Sequence, residues 1–465
     1  MWTVRSVALV VAVVDAVDPI QGICYAPLPC LTNCHASMDI GQSGYENLWA
    51  SSGRDDLGIM ARMGAKSLRV YHPIGEPTQP EPDHAPFLDA VRSAGLSMFA
   101  AVHQYLTCPD DNCYDSWNTA VADGLAKGFE ENGKWHSAVW AVNMINEVDA
   151  IVPFNAPERQ VMRLISAVDG LLAAEMAAKV TGEVKLTSCF TTAITVPLGG
   201  GDATVYHGFS SIEAWIKNPG LVPYTPRSVT TAQLAAAIDS RWVHCANAQI
   251  PWSGLKAMIA DHYAPFLPRP WFIGEMGFNG ASASDITAQL TEMNEYTSEG
   301  KGFLGSYMFQ FQTAYEKTGS ELNFGMFSLG GETLFEAGVV EGNTYDVRCL
   351  TSRLYAFDSD TSGCPACNHR AEAVAAAFGG TLSGTGLCLD MPPLGPGGGA
   401  CTPMGQDPYQ SGALVSCCPG SQKTLVGSAY LCLASPTPAP ASPSPTPAPA
   451  PRPTPSPTTA CTPAG

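Results

Sequence analysis

The chain is expected to fold as an α/β protein, a (β/α)8 TIM barrel followed by a small cysteine-rich module and a Pro-rich tail. Three observations carry this. Eight short apolar, β-rich runs alternate with helical patterns over about 330 residues, which favours a closed barrel over an open doubly wound sheet. Neither a GxGxxG turn after the first run nor a GxxxxGK[ST] loop is present, so nucleotide-binding α/β folds lose their support. Two of the apolar runs end in a glutamate, at the end of the strands where such barrels keep their chemistry.

The expected strands cover residues 22–26, 67–71, 97–103, 139–147, 185–190, 242–248, 271–275 and 305–312. Expected helices include 55–63, 86–94, 120–131, 157–179, 231–240, 253–262 and 285–298. The strands read as near-continuous apolar runs, as parallel strands buried on both faces must. The barrel is thus placed at 23–355.

The ends have a different composition. Residues 1–22 read as a signal peptide: Arg5 supplies a positive start, 6–14 is a short apolar run, and Val14 and Ala16 are small enough for cleavage after Ala16. No later apolar run approaches the roughly 20 residues a membrane span needs. Residues 434–465 form a Pro/Ser/Thr-rich stalk or tail, expected to be extended because proline fixes φ and removes amide donors. Between barrel and tail, 356–433 is rich in glycine and cysteine. Two roles are open to it, a glycan- or wall-binding module and a brace on the barrel.

The 16 cysteines, together with the signal peptide, indicate an oxidising compartment and a secreted, extracellular protein. Cys108 and Cys113 flank a short acidic loop and are expected to pair. Cys364-Pro-Ala-Cys367 lacks both the βαβ setting of a redox pair and the second cysteine pair of a zinc site, so it is read as part of a disulfide framework.

With 24 basic and 42 acidic residues the formal charge is −18, which excludes a nucleic-acid binder relying on a basic field. A neutral glycan is an easier partner than a polyanionic one.

Chemistry is expected where strands end. Asn146-Glu147 closes the fourth strand and Glu275 the seventh. Two facing carboxylates are the machinery of glycosidic-bond cleavage: one protonates the leaving oxygen, the other attacks the anomeric carbon or activates water. Asn146 is suited to hold a sugar hydroxyl. His72, His103 and His207 near strand ends are expected to be hydrogen-bond partners rather than metal ligands. Asp110-Asp111-Asn112 lacks calcium-loop spacing. No metal and no cofactor is expected. Trp117, Trp135, Trp215 and Trp252 lie in loop-like stretches and are candidates to stack on sugar rings.

These residues resemble the retaining glycosidases of clan A, and within it glycoside hydrolase family 17, the β-1,3-glucanases and glucan transglucosylases. The likeness rests on Gly22-Ile23-Cys24-Tyr25, on Leu68-Arg69-Val70-Tyr71, on Asn146-Glu147-Val148, and on Glu316-Lys317 followed by Glu321-Leu322-Asn323-Phe324-Gly325-Met326-Phe327. The resemblance implies Glu147 as acid/base and Glu275 as nucleophile, with Tyr71 near the sugar and Lys317 and Glu321 beside the nucleophile. Arg69, Asn146, His103 and Gln249 complete the expected substrate-binding set. The sequence departs from the family at Gly274-Glu275-Met276-Gly277-Phe278, where the family has Glu-Thr-Gly-Trp. It departs again on the sixth strand, where Asn247 or Gln249 stands in for the usual tyrosine. Family 5 and family 72 barrels are the alternatives within the clan. The expected function is a secreted retaining hydrolase of β-glucan, β-1,3-glucan favoured, in a possible cell-wall setting. The alternatives are a β-glucan transglycosylase and a non-catalytic glycan-binding barrel.

Overall fold

The computed structural model describes residues 19–31, 36–76, 83–152, 156–182, 184–191, 208–277, 279, 281–317, 321–322, 324–352 and 370–388, with the backbone of 421–426 and 429–434. Residues 1–18 of the signal peptide, His207, Cys364, Cys367 and residues 435–465 of the Pro-rich tail lie outside these residues, whereas 20–22, counted with the signal peptide from the sequence, lie in the strand Ile20–Cys24. Two compact units are present, Met1–Gly399 and Ala400–Gly465.

The first unit is built on eight parallel strands: β1 Ile20–Cys24, β2 Ser67–Arg69, β3 Ser97–Ala101, β4 Val139–Asn143, β5 Lys185–Thr187 continued by Cys189–Phe190, β6 His244–Ala248, β7 Trp271–Gly277 and β8 Phe303–Phe309. Each expected strand is present. The first half of β5 pairs with β4 and the second half with β6, while β1 pairs with both β2 and β8. The sheet therefore nearly closes on itself, the break falling at Ser188 within β5, and little strand edge is left exposed. This is a (β/α)8 barrel.

The connections are helical. The principal ones are α1 Asp56–Arg62, α2 Ala85–Ser93, α3 Tyr114–Gly124, α4 Pro157–Ala178, α5 Phe209–Lys217, α6 Thr231–Arg241, α7 Trp252–Met258 and α8 Ala283–Tyr296. Thr230 caps α6 in a reciprocal box with Gln233, and Ser282 caps α8 through the Asp285 amide. Two helices differ from expectation. The third begins six residues before the expected 120, because Tyr114, Trp117 and Val121 form a buried stripe; its continuation breaks at Gly128, whose φ of 106° suits only glycine. Helix α5 carries Trp215 on a buried face where the sequence read as loop.

The barrel lumen is filled from below by Phe99, Ala141, Val243, Phe272 and Tyr307. Tyr307 accepts from Trp140 Nε1 at 2.9 Å and lies 2.8 Å from Ser67 Oγ, so its buried hydroxyl is satisfied. A larger apolar layer joins the outer strand faces to the helices. The four candidate sugar-stacking tryptophans belong to that layer: Trp117, Trp135, Trp215 and Trp252 are all buried. They pack the scaffold and do not line subsites. Trp117 Nε1 donates to Met144 O and Trp135 Nε1 to Glu175, which gives two of the indoles an interior partner.

Beyond β8, an antiparallel pair, Phe327–Glu336 and Asp346–Ser352, is followed by helix Arg370–Phe378. That helix docks on α8, where Thr287 Oγ1 donates to Ala373 O and Asn294 Nδ2 to Ala377 O. In the second unit, Ser421–Val426 and Ala429–Ala434 form an antiparallel hairpin.

Three disulfides lie among the described residues. Cys108–Cys113 is the expected pair. Cys189–Cys245 joins β5 to β6, and Cys349–Cys388 ties the segment after the barrel to its antiparallel pair. No described helix is long and apolar enough to cross a membrane.

Candidate active site at the strand ends

Arg69 ends β2 fully buried above the aromatic plug, its guanidinium 5.3 Å from the Phe99 ring and 4.6 Å from Tyr71. A buried cation must be paired, and three groups meet it. Nη1 donates to Asn247 Oδ1 at 2.9 Å and lies 3.3 Å from Glu275 Oε1; Nη2 donates to Asn146 Oδ1 at 2.6 Å. One guanidinium thus orients residues from β4, β6 and β7.

Glu275 sits inside β7, whose seven residues are all buried, and is itself only 7% exposed. Tyr71 Oη donates to its Oε1 at 3.0 Å. Burial pushes the Glu275 carboxyl above the ordinary carboxylate range. Arg69, the Tyr71 hydroxyl and Lys317 pull it back down, while the charge of Glu147 pushes it further up. The pull of Arg69, Tyr71 and Lys317 favours an anion; the burial makes that anion reactive.

Glu147 stands on the loop after β4, half-buried, with φ 50° and ψ 50°. A glutamate in the left-handed region is unusual, and such backbone strain concentrates at functional sites. Its amide donates to Cys189 O at 2.7 Å, fixing the turn against β5. Asn247 Nδ2 donates to Glu147 Oε1 at 2.7 Å. Asn247 thereby joins the two glutamates: its oxygen faces Arg69, which faces Glu275, and its nitrogen faces Glu147. Asn146 Oδ1 collects Arg69, Asn143 Nδ2 and Asn247 Nδ2. Two other elements bound the site. An ideal Cβ at Gly274 would come within 2.5–2.7 Å of Cys245 Sγ, Cys189 Sγ and Arg69 Nη1, so glycine lets the disulfide and the guanidinium close in beneath Glu275. Lys317, after β8, pairs with Glu321 at 3.1 Å and lies 5.3 Å from the Phe309 ring.

The site therefore brings together Arg69, Tyr71, Asn146, Glu147 and Glu275, with Lys317 acting on Glu275 through its charge. Glu321 reaches the site only through Lys317. Gln249 is exposed, its Oε1 packed against Gly277. His103 turns to the neighbouring His72 and Glu76. Asp111 is engaged by Arg159 and Arg163, which accounts for the acidic loop beside Cys108–Cys113. Cys24 is a free buried thiol below the site, donating to Gly274 O at 3.4 Å, and burial pushes it up to about 12.

No protein-family model matches the chain, and no curated protein is similar to it in sequence. Among solved structures, similarity extends to a family 1 β-glucosidase from Thermotoga maritima in complex with isofagomine lactam, with 13% identity and a TM-score of 0.41 over 67% of this chain and 93% of that one. It extends also to the Thermotoga maritima β-glucosidase in complex with methoxycarbonyl-substituted glucoimidazole, with 13% identity and a TM-score of 0.42 over the same shares.

Proposed function

We propose that this chain is a secreted retaining glycoside hydrolase of the clan A type, acting on β-glucan with β-1,3-glucan favoured. The observation that carries the reading is the pair Glu147, on the loop after β4, and Glu275, near the C-terminal end of β7, held in one network by Arg69 and Asn247. Glu147, half-buried and reachable from the strand-end face, is the acid that protonates the leaving oxygen. Glu275, buried and fed by the Tyr71 hydroxyl and Arg69, attacks the anomeric carbon. In the second step Glu147 takes a proton from water, which displaces Glu275 from the sugar. Asn146 holds the sugar hydroxyl next to the reacting carbon. Three disulfides among the described residues suit an oxidising compartment.

Incubation with a defined β-1,3-gluco-oligosaccharide, read by mass spectrometry beside Glu275→Ala, tests this. Shorter products that vanish in the variant support a hydrolase. Products longer than the substrate place the same site in a transglycosylase. No product here or from other β-linked glucans and mannans overturns the enzyme and leaves a glycan-binding barrel.

A further inference from the structure

A second constellation lies at the ends of β2 and β3. His72 follows Tyr71, and His103 lies two residues beyond β3. Their Nδ1 atoms are 2.9 Å apart. Glu76 Oε2 lies 2.7 Å from His103 Nδ1 and 3.7 Å from His72 Nδ1. Both histidines are buried, at 5% and 7% exposure.

Hydrogen bonding leaves this cluster incompletely explained. One imidazole proton joins the two Nδ1 atoms. Glu76 Oε2 then has no aligned hydrogen bond, although it is buried and in close approach to His103. A buried carboxylate oxygen without a donor is costly. A cation among the three atoms would remove that cost and the proton conflict together.

We propose that His72, His103 and Glu76 form a site for a zinc-class divalent cation, separate from the two glutamates. The dimensions fit. Bonds of about 2.0–2.1 Å in a tetrahedral set place ligand atoms about 3.3–3.4 Å apart, and the three separations of 2.7, 2.9 and 3.7 Å bracket that edge. The donor set, two imidazoles and one carboxylate, is the kind that leaves a fourth position for water. Tyr105, 68% exposed, packs its ring 6.3 Å from His72 and 5.3 Å from His103, so the cluster lies one ring below the surface. A bound cation would pin the end of β2 directly after Tyr71, the residue that feeds Glu275.

The test is zinc titration of the full, chelator-stripped chain by calorimetry, beside Glu76→Gln and His103→Asn. These variants keep polar side chains of similar size, and circular dichroism confirms their fold. The expected result is one zinc per chain in the parent. Loss of an outer-shell partner alone weakens metal binding by about 10–100-fold, and loss of a direct ligand is expected to exceed that in each variant. A cobalt-loaded parent should show visible absorption that both variants lose. A parent that takes up no zinc overturns the proposal, as does zinc binding left unchanged by both variants, which would place the metal elsewhere on the chain.

Discussion

Asn247 and Glu275 are register partners on adjacent strands, yet Asn247 spends its amide nitrogen on Glu147, across the barrel mouth. The sixth strand therefore supports the acid, and the hydroxyl that reaches the nucleophile comes from Tyr71 on the second. Replacing Asn247 with alanine removes the donor to Glu147 and an acceptor from Arg69. A hydrogen bond to a charged group contributes about 1.5–3 kcal/mol, so kcat/KM on glucan is expected to fall by about 10–100-fold. Substrates with activated leaving groups, which need little protonation, should lose less. Equal losses on both would place Asn247 outside the acid's function.

Tyr71→Phe removes one of the interactions that hold the Glu275 carboxyl down. The nucleophile must be ionised to attack, so the acidic limb of the pH–rate profile should move to higher pH, with kcat reduced by about 10-fold or more. An unmoved limb would show that Tyr71 does not govern Glu275.

Burial also makes Glu275 a stability liability. Its carboxyl titrates above its unfolded value, so between the two values the folded state binds more protons than the unfolded one. Stability then falls as pH rises through that window, and the loss persists at neutral pH. Glu275→Gln should be more stable than the parent at pH 7, by about 1 kcal/mol, with the gap closing near pH 4. Thermal melts at the two pH values decide this; a variant less stable at pH 7 would mean that the carboxylate's contacts outweigh its burial.

Gly274 is the position where the fold tolerates least. A methyl there would meet both sulfurs of Cys189–Cys245 and the Arg69 guanidinium. Gly274→Ala should abolish measurable turnover and cost about 1–3 kcal/mol of stability. Opening the disulfide in a Cys189→Ala, Cys245→Ala double variant should cost about 2–4 kcal/mol, since it closes a 56-residue separation. Activity near the parent's in Gly274→Ala would contradict the close packing beneath Glu275.

Much of the barrel is legible in sequence because its strands are buried on both faces and appear as uninterrupted apolar runs between helical patterns. Glu147 and Glu275 stand out for the same reason, as carboxylates at the ends of such runs. What escapes is contact across the barrel. Nothing in the local sequence of Asn247 directs it to Glu147, 100 residues away. The pairing of Cys189 with Cys245 depends on β5 and β6 being neighbours with the two cysteines in register. Trp215 and Trp252 misled because polar residues surround them in sequence, while the structure buries both rings in the core. Glu76, two residues past the buried Ile74, gives no local hint that it reaches two histidines.

The most direct test of the two-glutamate mechanism is stereochemical. Proton magnetic resonance during the first minutes of β-1,3-gluco-oligosaccharide hydrolysis shows which anomer is released before mutarotation. Double displacement through Glu275 with Glu147 as acid/base predicts the β anomer first, with the signal absent in Glu275→Ala. An α anomer appearing first, or β-anomer release undiminished in Glu275→Ala, would contradict it.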